Sequence, residues 1–167
     1  MNAPIRPNPT FRLEDYPFRI ADNVRFADLD PQHHVNNAVY ASYFETGRVT
    51  LIRNPAYDLM PEGSSWVLGH LAIDFRAEVR WPGTIEMGLG VSRIGRTSVS
   101  YRQVVFYEGK CAASAEALTV LLDAVTRKPT PLPAETIEKF RPWMLRVIPQ
   151  DVREDRDNGA DKPSRAV

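Results

Sequence analysis

The chain has 167 residues, of which 43% are apolar and 25% charged, a composition that fits one globular domain with flexible ends. Lysine plus arginine equals aspartate plus glutamate at 21 each, so no overall field attracts nucleic acid or an anionic membrane. The single cysteine, Cys111, excludes an internal disulfide, and neither a secretory signal nor an apolar run of roughly 20 residues is present, so we expect a soluble cytoplasmic protein.

The two ends of the chain differ in composition from the part between them. Residues 1–16 contain several prolines, and residues 150–167 are mostly charged or small. Such segments bury too little apolar surface to offset the entropy of ordering. We therefore predict a flexible N-terminal segment at 1–16, a folded domain at 17–149 and a disordered charged tail at 150–167.

A strand and then a helix open the predicted domain. Phe18, Ile20 and Phe26 fall on alternate positions, which is the period of a half-buried strand. From Asn36 the spacing becomes helical, with apolar residues around most of the helix surface. Asn36 is a good N-cap, and Pro55 ends the helix because it disfavours helical geometry at the residue before it. The helix also contains Gly47, which costs roughly 1 kcal/mol there and indicates that a sheet packs closely against it.

After residue 64 the pattern is that of strands. Four segments of strand type are separated by turns at Pro82-Gly83, Gly95-Arg96 and Glu108-Gly109, so consecutive strands are antiparallel neighbours. A short C-terminal helix follows Pro133 and is broken or kinked by Pro142. The sequence predicts an α+β domain in which a five-stranded antiparallel sheet wraps around one long central helix.

A polar cluster, "DLDPQHHVNN", lies between the first strand and this helix, at residues 28–37. A metal site does not fit, because Asp28 and Asp30 face opposite sides of a continuing strand and the adjacent His33 and His34 do not converge on one ion. A phosphoryl-transfer aspartate does not fit either, because that chemistry favours a buried parallel sheet with Mg²⁺.

Two hypotheses for Asp30 remain open on the residues alone. The first amides of a helix lack internal partners and carry about half a positive charge, so they can hold an oxyanion. Asp30 lies six residues before Asn36 and is placed to attack a carbonyl carbon docked there, or to activate water against it. The alternative is that Asp30, which precedes Pro31, only bonds local amides in a turn.

The order of the motifs resembles a known family. "FADLDP", "HVNNAVYASYFETGR", the four strands and "TRKPTPLP" are similar to the hotdog-fold acyl-CoA thioesterases, in particular the 4-hydroxybenzoyl-CoA thioesterase-like branch, over about residues 18–147. The resemblance implies the hotdog fold and hydrolysis of acyl-CoA to a free acid and coenzyme A. It makes Asp30 the nucleophile or general base and the backbone amide of Asn37 the oxyanion donor.

The resemblance also implies partners. It predicts a homodimer or a dimer of dimers, with each active site at a subunit boundary. No metal or cofactor is expected, because coenzyme A belongs to the substrate. An acyl-carrier-protein thioesterase and a non-catalytic acyl-CoA-binding protein remain alternatives.

Further substrate contacts are predicted, each with a simpler structural explanation beside it. His34 and Asn36 either contact substrate or fix the loop, and Tyr40 either lines an acyl pocket or belongs to the core. Glu45 is a substrate contact, the ion-pair partner of Arg48 at i+3, or a buried hydrogen-bonding group. His33 stands where the family often has glycine, so its side chain crowds the entrance or donates to a polar group of the substrate. The phosphates of coenzyme A call for basic side chains, for which Arg96, Arg127 and Lys128 are the candidates, unless they are plain surface charges.

Overall fold

The computed structural model describes residues 11–146. The predicted tail at 150–167 and the first ten residues lie outside this range. The elements are β1 (Phe18–Asn23), α1 (Asn37–Ile52), β2 (Ser64–Phe75), β3 (Thr84–Ile94), β4 (Ser98–Tyr107), β5 (Lys110–Asp123) and α2 (Ala134–Phe140). Among residues 11–146, no helix is long and apolar enough to cross a membrane.

The five strands form one antiparallel sheet in the order β1-β3-β4-β5-β2. Consecutive strands from β3 to β5 are neighbours because short turns connect them. Glu108 and Gly109, between β4 and β5, have φ of 48° and 73°, which suits a tight hairpin turn. The sheet therefore has β1 at one edge and the 12-residue β2 at the other.

Helix α1 packs across the middle of the sheet, over β3 and β4, as predicted. A Cβ added at Gly47 would lie 3.3 Å from Gln103 Nε2, so the glycine allows the close approach that its position indicated. The sheet covers only one side of the helix, whereas the sequence predicted a helix that is apolar around most of its surface. The uncovered side carries an exposed stripe at helical spacing: Ala38, Ser42, Glu45 and Val49.

The opposite face of the sheet is covered by chain segments at the two ends of the described range. Tyr16 and Leu145 pack there with Val104 and Phe106. Tyr16 lies one residue before the predicted start of the domain, and it is buried against Gly88. The predicted domain boundaries themselves stay predictions.

Two predicted element ends can be compared with the structure. Helix α2 stops at Phe140 and passes into a 3-10 turn containing Pro142, as predicted. β1 stops at Asn23 rather than continuing to Phe26, because Phe26–Asp28 form a 3-10 turn. Asp28 and Asp30 are thus not on a strand, and their directions are set by the loop that follows.

Candidate active site

The loop between β1 and α1 is held by backbone hydrogen bonds. Asp30 N donates to His34 O over 2.9 Å, and His33 N donates to Asp30 O over 3.0 Å, which closes a tight turn. Val35 N donates to Val79 O over 2.8 Å and ties the loop to the segment after β2. The turn places His33 at φ 65°, the left-handed region that favours glycine. His33 therefore keeps the backbone conformation that a glycine would supply, with an exposed side chain.

Asp28 is a buried anchor of this loop. Its Oδ2 accepts hydrogen bonds from Arg25 N over 2.8 Å and from the Tyr43 hydroxyl over 2.7 Å. Burial and this bond to Asp28 raise the pKa of Tyr43, which keeps the hydroxyl protonated as a donor. Asp28 thus fastens the loop to α1, and its carboxylate is occupied by structural contacts.

Asp30 presents its carboxylate differently. Oδ1 accepts a hydrogen bond from Gln32 N over 2.8 Å, while Oδ2 lies 3.3 Å from His34 Nδ1. The Asp30 side chain is 18% exposed. The turn contact expected under the structural hypothesis is therefore present at one oxygen. The other oxygen, Oδ2, takes no part in the turn and faces His34 at a partly open position. It is therefore the atom that the catalytic hypothesis requires.

The N-terminus of α1 supplies a free amide. Asn36 Oδ1 accepts from Ala38 N over 2.9 Å, which confirms Asn36 as the N-cap. The backbone amide of Asn37 finds no hydrogen-bond partner within residues 11–146. Because the first amides of a helix also carry the positive end of its dipole, this N–H is suited to an oxygen that acquires negative charge.

A cavity of about 250 Å³ opens beside this amide. It is lined by His34, Val35, Asn37 and Tyr40 from the loop and helix, and by Phe75, Arg76, Ala77 and Glu78 from the end of β2. Asp30 is not part of the lining and adjoins the cavity through His34. The rings of Tyr40 and Phe75 meet edge to face at 5.3 Å. Burial, and then the charge of Glu78, raise the pKa of Tyr40 to about 12. Its hydroxyl in the cavity wall therefore stays neutral.

The remaining predicted residues lie elsewhere in the chain. Glu45 is exposed on α1 beside a second cavity, and no carboxylate of the described residues is within 4.0 Å of the Arg48 guanidinium. The Glu45–Arg48 ion pair offered as an alternative is therefore wrong, because Arg48 turns towards the sheet and bonds Gln103.

Three basic candidates lie at the far end of the sheet. Arg96 follows β3, and its carbonyl accepts from Leu132 N, while Arg127 donates to Ser65 Oγ at the start of β2. Lys128 follows directly, and the Asp30 loop adjoins the opposite ends of β3 and β2. Within one chain these cations do not reach the Asp30 site, and their role stays a prediction.

The cavity wall from Phe75 to Glu78 had no signal in the sequence. These residues belong to a segment that was predicted as one continuous strand, and only the three-dimensional position of its end brings them to α1. The structural role of Tyr43 was also missed, because nothing in the sequence pairs its hydroxyl with Asp28, 15 residues earlier. Within residues 11–146 no group of three or more metal-ligating side chains is present.

Comparison with known proteins identifies the family of this chain. The sequence matches the model of the thioesterase-like superfamily over residues 24–140. A thioesterase from Thermus thermophilus, solved with coenzyme A and Zn, is 31% identical, with a TM-score of 0.68 over 77% of this chain and 95% of that chain.

Two further solved structures are similar. The PA5185 protein from Pseudomonas aeruginosa strain PAO1 is 25% identical, with a TM-score of 0.71 over 81% of this chain and 97% of that one. The probable thioesterase YbaW from Escherichia coli is 24% identical, with a TM-score of 0.67 over 76% and 98%. No significant match occurs among curated proteins. The hotdog fold implied by the resemblance is confirmed.

Proposed function

This chain belongs to the thioesterase-like superfamily and is a thioester hydrolase, and we propose that it cleaves acyl-CoA thioesters to a free carboxylic acid and coenzyme A. The observation that carries the proposal is the unpaired Asn37 amide, which lines a cavity beside the Asp30–His34 pair. The coenzyme A bound to the Thermus thermophilus thioesterase supports a CoA thioester as the substrate class.

The proposed mechanism uses the helix end and one carboxylate. The thioester oxygen accepts from the Asn37 amide, which stabilises the negative charge that develops when the carbonyl carbon is attacked. Asp30 either takes the proton of an attacking water, or attacks the carbon itself and forms an anhydride that a water then hydrolyses to the free acid. In both cases the carbon–sulfur bond breaks and the thiolate of coenzyme A leaves. His34, whose Nδ1 lies 3.3 Å from Asp30 Oδ2, positions the carboxylate. The proposed step draws on no metal or cofactor.

A second copy of the chain is part of the proposal. β2 is an edge strand in which Leu68 and Phe75 are 49% and 50% exposed. An edge of this kind is commonly covered by two-fold pairing with the same strand of a partner. Antiparallel pairing brings the start of one β2, where Arg127 is attached through Ser65, towards the end of the other, where Phe75 lines the cavity. Sedimentation velocity that finds only monomer would contradict this dimer.

The dimer accounts for the remote basic residues. In it, Arg127 and Lys128 of one copy approach the cavity of the other, where the phosphates of coenzyme A need counter-charges. Arg96 lies at the same end of the sheet and is proposed for the same rim. The intermediate exposure and single occurrence of Cys111 favour a reducing compartment, so we place the reaction in the cytoplasm.

The test is thiol release from short, medium, long and aromatic acyl-CoA thioesters by the wild-type protein. Turnover of free acyl-CoA supports the proposal, and the preferred chain identifies the acyl group. Cleavage only of acyl groups attached to carrier protein would overturn the CoA assignment. Absence of all cleavage, with acyl-CoA still raising the melting temperature, would leave a binding protein and contradict hydrolysis.

A further inference from the structure

A second cavity, of about 200 Å³, lies beside the C-terminal half of α1. Its walls include the apolar side chains of Ile52, Met60, Trp66 and Leu68. Among its polar lining residues, Arg48 and Thr119 are buried, and each is only 4% exposed. The cavity thus combines apolar walls with a buried cationic group.

Arg48 has unused hydrogen-bonding capacity. Its Nη1 donates to Gln103 Oε1 over 2.8 Å, and Gln103 Nε2 in turn donates to Phe44 O over 2.8 Å, so both ends of the Gln103 amide are hydrogen-bonded. A guanidinium has five N–H donors, and this bond to Gln103 is the one that Arg48 makes within residues 11–146. Burial lowers the pKa of Arg48, as expected for a cation removed from water. Burial of a charge that has no ion-pair partner within 4.0 Å among the described residues is costly, and an anion entering the cavity would offset that cost.

The other groups around Arg48 are compatible with an anion. Thr119 lies beside it, and its hydroxyl donates to the Tyr101 hydroxyl over 3.5 Å, a distance at the limit of a hydrogen bond. An anion in the cavity would offer this one proton a stronger acceptor. Glu45 and Arg53 also line the cavity, and both are exposed. The charge of Glu45 acts on Arg48 and raises its pKa, but this effect is smaller than the lowering by burial, because the exposed carboxylate is screened by water.

We propose that this cavity binds a carboxylate carried on an apolar chain, with the Arg48 guanidinium as its counter-ion and Thr119 as a further donor. The planar fork of arginine matches the two oxygens of a carboxylate, and the apolar walls match the chain. Asn37 and Arg48 are eleven residues apart on α1, about 16 Å along its axis. The carboxylate is therefore either the far end of a long acyl group, a source that rests on the proposed hydrolysis, or a separate free acid.

The binding experiment uses hexanoate, with hexanamide as an uncharged probe of the same shape, in calorimetric titrations. Hexanoate is expected to bind about tenfold more tightly than hexanamide, the ratio typical of one charge-assisted contact. Arg48→Lys keeps a cation but removes the fork and should abolish most of this preference. Thr119→Val keeps the Arg48–Gln103 bond and should reduce the preference severalfold. Arg93→Lys, an exposed arginine on β3, is the control and should change nothing.

The kinetic experiment separates the two sources. It compares an acyl-CoA ending in a carboxylate with a methyl-ended acyl-CoA of equal chain length. If Arg48→Lys lowers kcat/KM tenfold relative to the wild type for the carboxylate-ended acyl-CoA, and leaves kcat/KM for the methyl-ended one unchanged, the site binds the substrate. Equal kinetics with Arg48-dependent hexanoate binding assigns it to a free acid. If the wild type cleaves no thioester, the proposed function fails while hexanoate binding still decides this inference.

Equal binding of hexanoate and hexanamide, or binding of neither, would overturn the inference. The cavity would then be a void, or a space that a second copy of the chain fills. Thr119→Val guards against a folding defect in Arg48→Lys, because it leaves the helix untouched. A carboxylate preference that survives in both variants would equally contradict the assignment.

Discussion

Tyr43→Phe removes one hydroxyl from the anchor of the site loop. That hydroxyl donates to Asp28 Oδ2 over 2.7 Å, and Asp28 is 7% exposed, so water does not readily replace the lost bond. A hydrogen bond to a charged acceptor in such a position contributes about 2 kcal/mol. We expect the free energy of unfolding to fall by that amount, which lowers the melting temperature by about 7 °C for a domain of this size.

The assay is urea unfolding followed by circular dichroism, with a midpoint expected about 1 M lower. Tyr40→Phe is the matched control, because Tyr40 lies on the same helix, is equally buried and makes no side-chain hydrogen bond within the described residues. It should change the free energy of unfolding by less than about 0.5 kcal/mol. Equal losses in the two variants would refute the claim that the Asp28 contact, rather than ring packing, fastens the loop.

Further predictions concern the backbone, the outer face of the sheet and alkaline pH. His33→Gly should be about 1 kcal/mol more stable than His33→Ala in urea unfolding, because only glycine adopts φ 65° without strain, and equal stability would contradict this. Gly88→Ala places a Cβ 2.8 Å from Tyr16 Cγ and should cost about 1–3 kcal/mol, a loss that must shrink in a Tyr16→Ala background if this contact is its cause. Burial raises the folded-state pKa of Tyr101, and burial with the Asp28 bond raises that of Tyr43. The contribution of these two groups to the free energy of unfolding is therefore complete below the unfolded pKa of about 10, and it is lost as pH rises above that value. Melting temperatures measured from pH 8 to 11 should therefore fall only above about pH 10, and less steeply in Tyr43→Phe.

Much of the fold was predictable because its signals are local and periodic. β3 occupies Thr84–Ile94, the segment read from its alternation and flanking turns, and Asn36 caps α1 as its residue type and position indicated. Pro142 ends α2 because proline has no backbone N–H to donate and its ring clashes with the preceding turn of the helix. Such features need no knowledge of what the segment packs against.

The parts that were missed depend on distant contacts. Arg48 was considered with its helical neighbour Glu45, whereas the structure pairs it with Gln103, 55 residues later. β1 ends early because Asp28 accepts the Arg25 amide and closes a turn, a competition that alternation alone does not reveal. The cavity wall at Phe75–Glu78 likewise exists only because the sheet returns this segment to the start of α1.

The centre of the candidate site was predictable from the sequence. Asp30 and His34 were singled out in one polar run before a helix, and Asn37 through the family resemblance. The structure places Asp30 beside His34, and His34 lines the same cavity as Asn37. Because a tight turn and a helix N-terminus are both local structures, their neighbouring groups converge over a few residues. The catalytic roles of Asp30 and Asn37 remain the proposal to be tested.

The most direct test is kcat for acyl-CoA hydrolysis by Asp30→Asn, measured by thiol release beside the wild type. Asp58→Asn is the control, an exposed aspartate at φ 48° where asparagine is well tolerated. The account predicts a loss of at least about 100-fold in Asp30→Asn, with unchanged circular dichroism, and wild-type rates in the control. Wild-type turnover in a folded Asp30→Asn protein would contradict Asp30 as the group that attacks the thioester or activates water.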